Sequence, residues 1–376
     1  MENSNKGKIK ICYLVSSLCN EGPVNVIYNI IKYIDYERFS VSIITFIPEK
    51  ETTRIEEFKR LPISIFQLSP NKNIGLFTIY FKLRRQLSKI VPDILHAHCP
   101  RSLFIMPYLP KCYKKVYTIH IYPGEQQLKL YGHVKGRIVI ALDHYFTKKC
   151  DLAIGCAESV GWQYKKEKGW DIPCIPNGAS LPVWVRDEKE RASLRNEFGL
   201  KDGVKYFIFI GRFSKEKNPD ILFKTFKDIN RTDVGLIMLG NGLMWDNLKA
   251  DCPSQIIMPG FTNRVYDYIK ASDYYISASD VEGLANTILE SMSVGLPMLL
   301  SDIPSHQEIL QNIKYEHIGS FIDNKNPNDI MEKVDMIMSI DHKRVSTILQ
   351  HLYERKYTAE VMSRKYQNAY IELMRK

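Results

Sequence analysis

Short apolar runs alternate with amphipathic segments along the whole chain. Residues 8–18 (KIKICYLVSSL) are almost continuously apolar and end in serines, which predicts a strand buried on both faces. Asn20-Glu21-Gly22-Pro23 then turns the chain. Val24–Tyr33 follows as a helix with Val26, Ile27, Ile30, Ile31 and Ile34 on one face. Phe39–Phe46, Ile63–Leu68, Pro92–His98, Val116–His120 and Cys150–Ala157 read as further strands, and Leu76–Ile90 as a helix with a basic face. Ser159 is placed to cap a helix running to Lys168, and Ile172–Gly178 (IPCIPNG) closes this half. The second half repeats the rhythm. Helix Lys189–Phe198 leads into strand Tyr206–Ile210, and Asn218-Pro219-Asp220 reads as cap, first-turn proline and acidic second position of a helix. Strands Gly235–Gly242, Ile256–Phe261, Asp273–Ala278 and Ile318–Ile322 follow, with helices at Val265–Ala271, Asn328–Met338 and Thr358–Met374. Regular strand–helix alternation predicts an α/β protein of two doubly wound domains with a ligand cleft between them.

A length of 376 residues accommodates two such cores, and Leu181–Glu190 is the expected boundary. Hydrophobic content of 45% with 25% charged residues favours a globular chain over a disordered one. No apolar run reaches membrane-spanning length, and the opening MENSNKGKIK lacks the apolar core of a leader, so a cytoplasmic location is expected. The eight cysteines are scattered without a C-x-x-C pair, which points to free thiols and away from zinc. The net charge of +10 is one-sided, because residues 1–185 carry 26 basic and 15 acidic residues. Basic clusters at Lys82/Arg84/Arg85/Lys89, Lys111/Lys114/Lys115, Lys148/Lys149 and Lys165/Lys166/Lys168 imply an anionic partner, either a phosphate-bearing acceptor or an anionic membrane face. Solvated lysine-rich helices would give the same composition. No nucleic-acid-binding signature accompanies the charge, so no nucleic acid is expected.

Candidate chemistry concentrates in SDVEGLANTILESMSVGLPMLL, residues 279–300. Glu282 precedes a glycine, whereas Glu290 sits about two turns into a helix that Gly295 and Pro297 stop. Roughly 9–12 Å along the axis would separate the carboxylates, too far for a pair working on one glycosidic bond. The spacing fits a sugar–diphosphate–ribose skeleton, with the diphosphate over the N–H groups of Gly283 and Leu284. Two glutamates flanking an ordinary surface helix would look the same by spacing alone. Arg212 and Lys217 flank a strand-to-helix loop suited to holding a diphosphate whose charge grows on departure. His98 and His120 end two different strands, where α/β folds bind ligands, and the Gly22 turn brings N–H groups to a helix start.

The block EGLANTILESMSVGLP resembles the E-x7-E signature of family 4 retaining glycosyltransferases with the GT-B fold. GRFSKEKN resembles that family's phosphate-binding loop, DILHAH and VYTIH its two N-domain strand–histidine motifs, and IPNG the end of its last N-domain strand. The resemblance implies two Rossmann-like domains facing a central cleft: an acceptor-binding domain over residues 1–182, a donor-binding domain over 183–357, and a C-terminal helix, 358–376, returning to the first. It implies catalytic roles for Arg212, Lys217, Glu282 and His120. Donor-binding roles fall on Glu290, Gly283, Leu284, Ala285, Phe261, Thr262 and Gly22, and His98 lies on the acceptor side. Two departures stand out: Pro23 replaces a second glycine after Gly22, and Leu284-Ala285-Asn286 stands where Phe-Gly is common, a variant associated with hexose and N-acetylhexosamine transfer. The implied reaction takes a sugar from a nucleotide-diphosphate donor, UDP being favoured, to a saccharide or lipid-linked acceptor, with no metal and no cofactor. Lys-, Ile-, Asn- and Tyr-rich usage suggests a low-GC bacterium and hence surface-polysaccharide assembly, and the basic first half suggests a place peripheral to the inner face of the plasma membrane. The alternatives are a GT-B nucleotide-sugar epimerase or hydrolase, and a non-catalytic nucleotide-sugar-binding subunit.

Overall fold

The computed structural model describes residues 7–72, 75–229, 231–311 and 318–376. Residues 1–6, which open the stretch read above for a leader, lie outside them. The chain forms two compact units, Met1–Gly178 with Ala359–Lys376, and Ala179–Thr358.

In the first unit six parallel strands, β1 (Ile9–Val15), β2 (Phe39–Thr45), β3 (Ser64–Gln67), β4 (Ile94–Ala97), β5 (Lys114–Ile119) and β6 (Leu152–Gly155), pair in the order β3-β2-β1-β4-β5-β6. The central strands are mostly apolar because helices cover both faces of the sheet. Ile11, Tyr13, Ile43, Ile94 and Val116 share one core with Ile27, Ile30 and Ile31 of helix Gly22–Lys32. Met362, Tyr366 and Tyr370 of the last helix, Ala359–Arg375, lie in the same core. IPCIPNG adds no full strand; it is bridged at Cys174 to Gly155, with Ile175 N–H donating to Gly155 O at 2.9 Å.

The second unit repeats the topology. Strands β7 (Lys205–Ile210), β8 (Val234–Leu239), β9 (Ile256–Gly260), β10 (Tyr274–Ser277), β11 (Met298–Ser301) and β12 (Gly319–Ile322) pair in the order β12-β11-β10-β7-β8-β9. Asp273, buried at the start of β10, accepts from Tyr206 N–H at 3.0 Å and pairs with Arg191 at 2.9 Å and Arg195 at 3.4 Å, tying helix Glu188–Glu197 to the sheet.

Several local expectations are corrected. Ser159 does not cap its helix; the chain turns helical at Glu158 after an extended Ala157, and Ser159 is buried inside. Asn218 does not cap with its side chain either. Helices Glu125–Tyr131 and His133–Thr147, between β5 and β6, have no counterpart in the periodicity reading.

Candidate active site

In the second sheet β7 and β10 are neighbours, yet the chain continues from them to opposite sides of the sheet. Their carboxyl ends therefore form the topological switch point at which open α/β sheets bind ligands. The loop after β7 carries Lys217 and the loop after β10 carries Glu282. The structure joins the two in a direct ion pair, Lys217 Nζ to Glu282 Oε1, with both side chains largely shielded from solvent. Ser279 Oγ donates to the same oxygen at 2.9 Å. Burial pushes the Glu282 carboxyl up, but the Lys217 charge and hydrogen bond, with His306 and Ser279, outweigh it and hold the group below its ordinary value. Glu282 is thus an anion whose second oxygen, Oε2, has no hydrogen-bond partner among the described residues. Arg212 lies exposed on the same loop as Lys217, and its guanidinium makes no ion pair among the described residues.

Two asparagines brace this arrangement. Asn218 adopts the left-handed conformation, φ 48°, where asparagine is better tolerated than most residues. That geometry turns its amide onto Ala278 O at 2.9 Å and Asp280 Oδ1 at 2.8 Å instead of onto its own helix. Asn324, just after β12, donates to the same two acceptors at 2.9 and 3.0 Å. Asp280 N–H in turn donates to Glu216 O at 2.8 Å, so the Lys217 loop and the Glu282 loop are stitched together. Below them His306 is fully buried, with Nδ1 at 2.9 Å from Ser301 O. A carbonyl only accepts, so Nδ1 carries the proton and Nε2 keeps its lone pair. Burial pulls the His306 pKa down to about 4, against the opposing charge of Glu282. Asn324 gave no signal in the sequence beyond a polar turn, and His306 none beyond a histidine in a short amphipathic stretch.

Other sequence-predicted residues fall as follows. The helix carrying Glu290 runs from Asn286 to Val294, so Glu290 sits just over one turn into it, not two, and is half-buried. Gly283, Leu284 and Ala285 form the non-helical approach, Ala285 being the extended N-cap. The free N–H groups of the helix start therefore belong to Asn286 and Thr287, and the axial estimate from Glu282 to Glu290 does not apply. Gly240, in the G-x-G after β8, is a packing residue: at φ 130° a Cβ would lie 1.9 Å from Gly211 O, so the glycine lets that turn press against the Arg212 loop. Phe261 is exposed after the edge strand β9, and Thr262 Oγ1 accepts from Arg264 N–H at 3.0 Å.

In the first unit β1 and β4 form the equivalent switch point. His98 follows β4 and His120 follows β5, and they meet, Nδ1 of the former at 3.0 Å from Nε2 of the latter. Burial lowers both pKa values, that of His120 to about 3, so the pair is neutral, one ring donating and the other accepting. His98 Nε2 is buried without a partner among the described residues. His96, its ring 4.2 Å from that of His98, hydrogen-bonds Tyr370 OH at 2.7 Å and Thr118 Oγ1 at 2.8 Å. Tyr370 also meets Tyr13 OH at 3.0 Å. Thr118 Oγ1 in turn meets Tyr366 OH at 3.0 Å, so the histidine pair rests on a polar network to which the last helix contributes two tyrosines. Gly22 is the exposed first residue of its helix, with open space where a Cβ would lie, so nothing close-packed requires glycine there.

Two doubly wound parallel sheets, one with a cation–carboxylate pair at its switch point and the other with a histidine pair at the carboxyl ends of β4 and β5, define the class: a GT-B architecture. Residues 21–181 match the family model for Glycosyltransferase Family 4 and residues 190–350 that for Glycosyl transferases group 1. The chain belongs to this glycosyltransferase family. It is 24% identical to the O-antigen biosynthesis glycosyltransferase WclY of Escherichia coli, over 98% of this chain and 99% of that protein. It is also 24% identical to the UDP-Gal:alpha-D-GlcNAc-diphosphoundecaprenol alpha-1,3-galactosyltransferase of Escherichia coli, over 92% and 91% of the two chains. Among solved structures, Anabaena Alr3699/HepE in complex with UDP and glucose superposes with a TM-score of 0.78 at 16% identity, over 97% of this chain and all of that one.

Proposed function

We propose that this chain is a retaining, metal-independent glycosyltransferase. It would move a hexose or N-acetylhexosamine from a UDP-sugar to a saccharide or lipid-linked acceptor in the assembly of a bacterial surface polysaccharide. The observation that carries the reading is the Lys217–Glu282 pair at the β7/β10 switch point, with Arg212 exposed on the loop that carries Lys217. The UDP-bound neighbour and the O-antigen and diphosphoundecaprenol relatives favour the donor and acceptor classes.

In this mechanism the ionised Glu282 accepts hydroxyl hydrogen bonds from the donor sugar through Oε2, and Glu290 binds the ribose. Arg212 and Lys217 stabilise the diphosphate as the bond from the anomeric carbon to its oxygen breaks. Fixed cations aimed at developing charge supply much of the rate enhancement in many such reactions, and here they take the part a divalent ion would otherwise play. The acceptor oxygen attacks from the same face, and its proton passes to the leaving phosphate oxygen. The nucleobase rests near Phe261 and Thr262, and the diphosphate lies against the approach Gly283–Ala285 and the helix-start amides of Asn286 and Thr287. His120, backed by His98, lies on the acceptor-binding unit.

A thermal-shift screen of UDP, GDP, ADP and their sugar conjugates, with and without EDTA, tests the donor site. A ligand bound only by the native state raises Tm by mass action, about 2.7 kcal/mol of stabilisation at a hundredfold excess over Kd. The expected result is a shift with uridine ligands that EDTA leaves unchanged. No shift with any nucleotide overturns the reading, and turnover of the donor without an acceptor would point to the epimerase or hydrolase alternative. Transfer should be abolished in Lys217→Ala and in Glu290→Ala while both variants remain folded; undiminished turnover removes the role assigned to that residue.

A further inference from the structure

Behind Glu282 lies a buried chain of hydroxyls that ends in an imidazole. Ser277 closes β10, Ser279 follows it, and Ser301 closes the neighbouring strand β11; all three are almost fully shielded from solvent. His306, on helix Pro304–Gln311, folds its ring back toward the end of β11 and is itself fully buried. Its Nδ1 lies 2.9 Å from Ser301 O and 3.2 Å from Ser301 Oγ. Ser301 Oγ lies 2.5 Å from Ser279 O, and Ser279 Oγ 2.9 Å from Glu282 Oε1. Ser277 Oγ is 3.2 Å from Ser279 Oγ.

The acceptor-only groups in this chain fix the direction of every bond, because carbonyls and carboxylates cannot donate. Ser279 Oγ donates to Glu282, so Ser277 Oγ donates to Ser279 Oγ. Ser301 Oγ donates to Ser279 O, and His306 Nδ1–H donates to Ser301. One tautomer of the imidazole satisfies the set. With its proton on Nδ1, His306 has only a lone pair on Nε2, which is buried and has no hydrogen-bond partner among the described residues. Glu282 and His306 are close enough that each shifts the other's titration, and the Lys217 charge opposes protonation of the ring. An Nε2–H or an imidazolium at this place would draw on the Glu282 carboxylate and compete with the hydroxyls that Oε2 is to receive.

We propose that His306 is a positioning residue of the transfer reaction. It fixes Ser301 and, through it, the contact from Ser279 to Glu282. By holding its proton on Nδ1 it also presents no donor to the carboxylate, so Oε2 stays available to the donor sugar. This role rests on the reading of Glu282 as the sugar-binding carboxylate. His306 is fully buried and acts through Glu282, so its loss should appear in kcat and leave the affinity for the nucleotide in place.

The test is a pair of substitutions in the full chain. His306→Asn keeps an N–H at the place of Nδ1, whereas His306→Leu removes it with little change of volume. With a UDP-hexose donor, kcat should fall about tenfold or more in His306→Leu and by no more than about threefold in His306→Asn. The Kd for UDP, which carries no sugar, should stay within about twofold of wild type in both. Should His306→Leu fail to fold, Ser279→Ala breaks the same chain one bond from Glu282 and should give the same split between kcat and UDP binding. In histidine-labelled protein at about pH 7, the His306 ring nitrogens, assigned by their absence from the His306→Asn spectrum, should show a protonated Nδ1 and a bare Nε2. A folded His306→Leu with wild-type kcat overturns the proposal. So does an asparagine variant as impaired as the leucine one, a proton found on Nε2, or a parallel loss of UDP affinity, which would make His306 a packing residue only. A wild-type chain that binds UDP and transfers no sugar sinks the catalytic reading and this role with it; an active wild type beside an equally active His306→Leu sinks the role of His306 alone.

Discussion

Glu282 shows how far one side chain's chemistry depends on residues distant in sequence. Its charge is secured by Lys217, 65 positions earlier, and its loop by Asn218 and Asn324. Glu282→Gln keeps the shape and removes the anion, so kcat should fall about a hundredfold or more with Tm little changed. Steady-state kinetics beside a melting curve checks this, and wild-type kcat in the folded variant would end the sugar-binding role. The asparagine brace makes a sharper demand. Asn218→Gly tolerates φ 48° but loses both amide contacts, whereas Asn218→Ala loses them and adds about 1 kcal/mol of backbone strain. Alanine should therefore melt below glycine, while both lose activity through the misplaced Glu282 loop. Equal melting would show that the backbone is not held left-handed in solution. The places of Glu282, Lys217 and Arg212 on the loops after β10 and β7 were legible in the sequence because strand-to-loop boundaries are written in local pattern. The brace was not, because a polar turn residue such as Asn324 looks the same whether it faces water or a partner more than 40 residues away.

At the scale of elements, the helix that carries Glu290 ends in a device with a measurable cost. Gly295 sits at φ 81°, its N–H donates to Ser291 O at 3.0 Å, and a Cβ there would lie 2.9 Å from the Ser346 Cα. Gly295→Ala must strain the backbone and push on helix His342–Leu352, and should cost more than about 1 kcal/mol, read as a fall in Tm or in the denaturant midpoint. The buried Asp273 cluster makes the complementary point. Asp273→Ala strands Arg191 and Arg195 in a poorly solvated site, which typically costs about 3–5 kcal/mol. A small effect would mean that water reaches those guanidinium groups. Leu76–Ile90 was legible from its periodicity with the bounds the structure has, because an inward apolar stripe fixed it. Helix His133–Thr147 was not, for the converse reason: its apolar residues face out and its polar ones in.

Across the whole molecule, the buried histidines set the response to acid. Burial lowers the pKa of His306 to about 4, of His120 to about 3 and of His144 to about 4, and depresses His96 and His98 as well. Between the ordinary histidine value near 6.5 and those folded values, the unfolded chain binds protons that the folded chain refuses. Stability therefore falls as pH falls through that window, by up to about 1.4 kcal/mol per pH unit for each such histidine. Glu282 adds a lower limb: its lowered pKa stabilises fully above the ordinary carboxylate value and is lost as pH drops through the folded one. Melting temperature measured from about pH 7 to about pH 4 should decline steadily, and His306→Asn should flatten part of the slope; a flat profile would mean that the histidines protonate in place. By itself the sequence determined the strand–helix alternation, the two doubly wound sheets and the identity of the charged residues near their strand ends. Those depend on hydrophobic period and turn chemistry, which are local. Tertiary structure alone decided which of these residues touch. It paired Lys217 with Glu282 and His98 with His120, set Tyr366 and Tyr370 of the last helix into the first core, and turned one helix's apolar side outward. Contacts between residues far apart in the chain arise only when strand order brings their loops together, and no local pattern records that order.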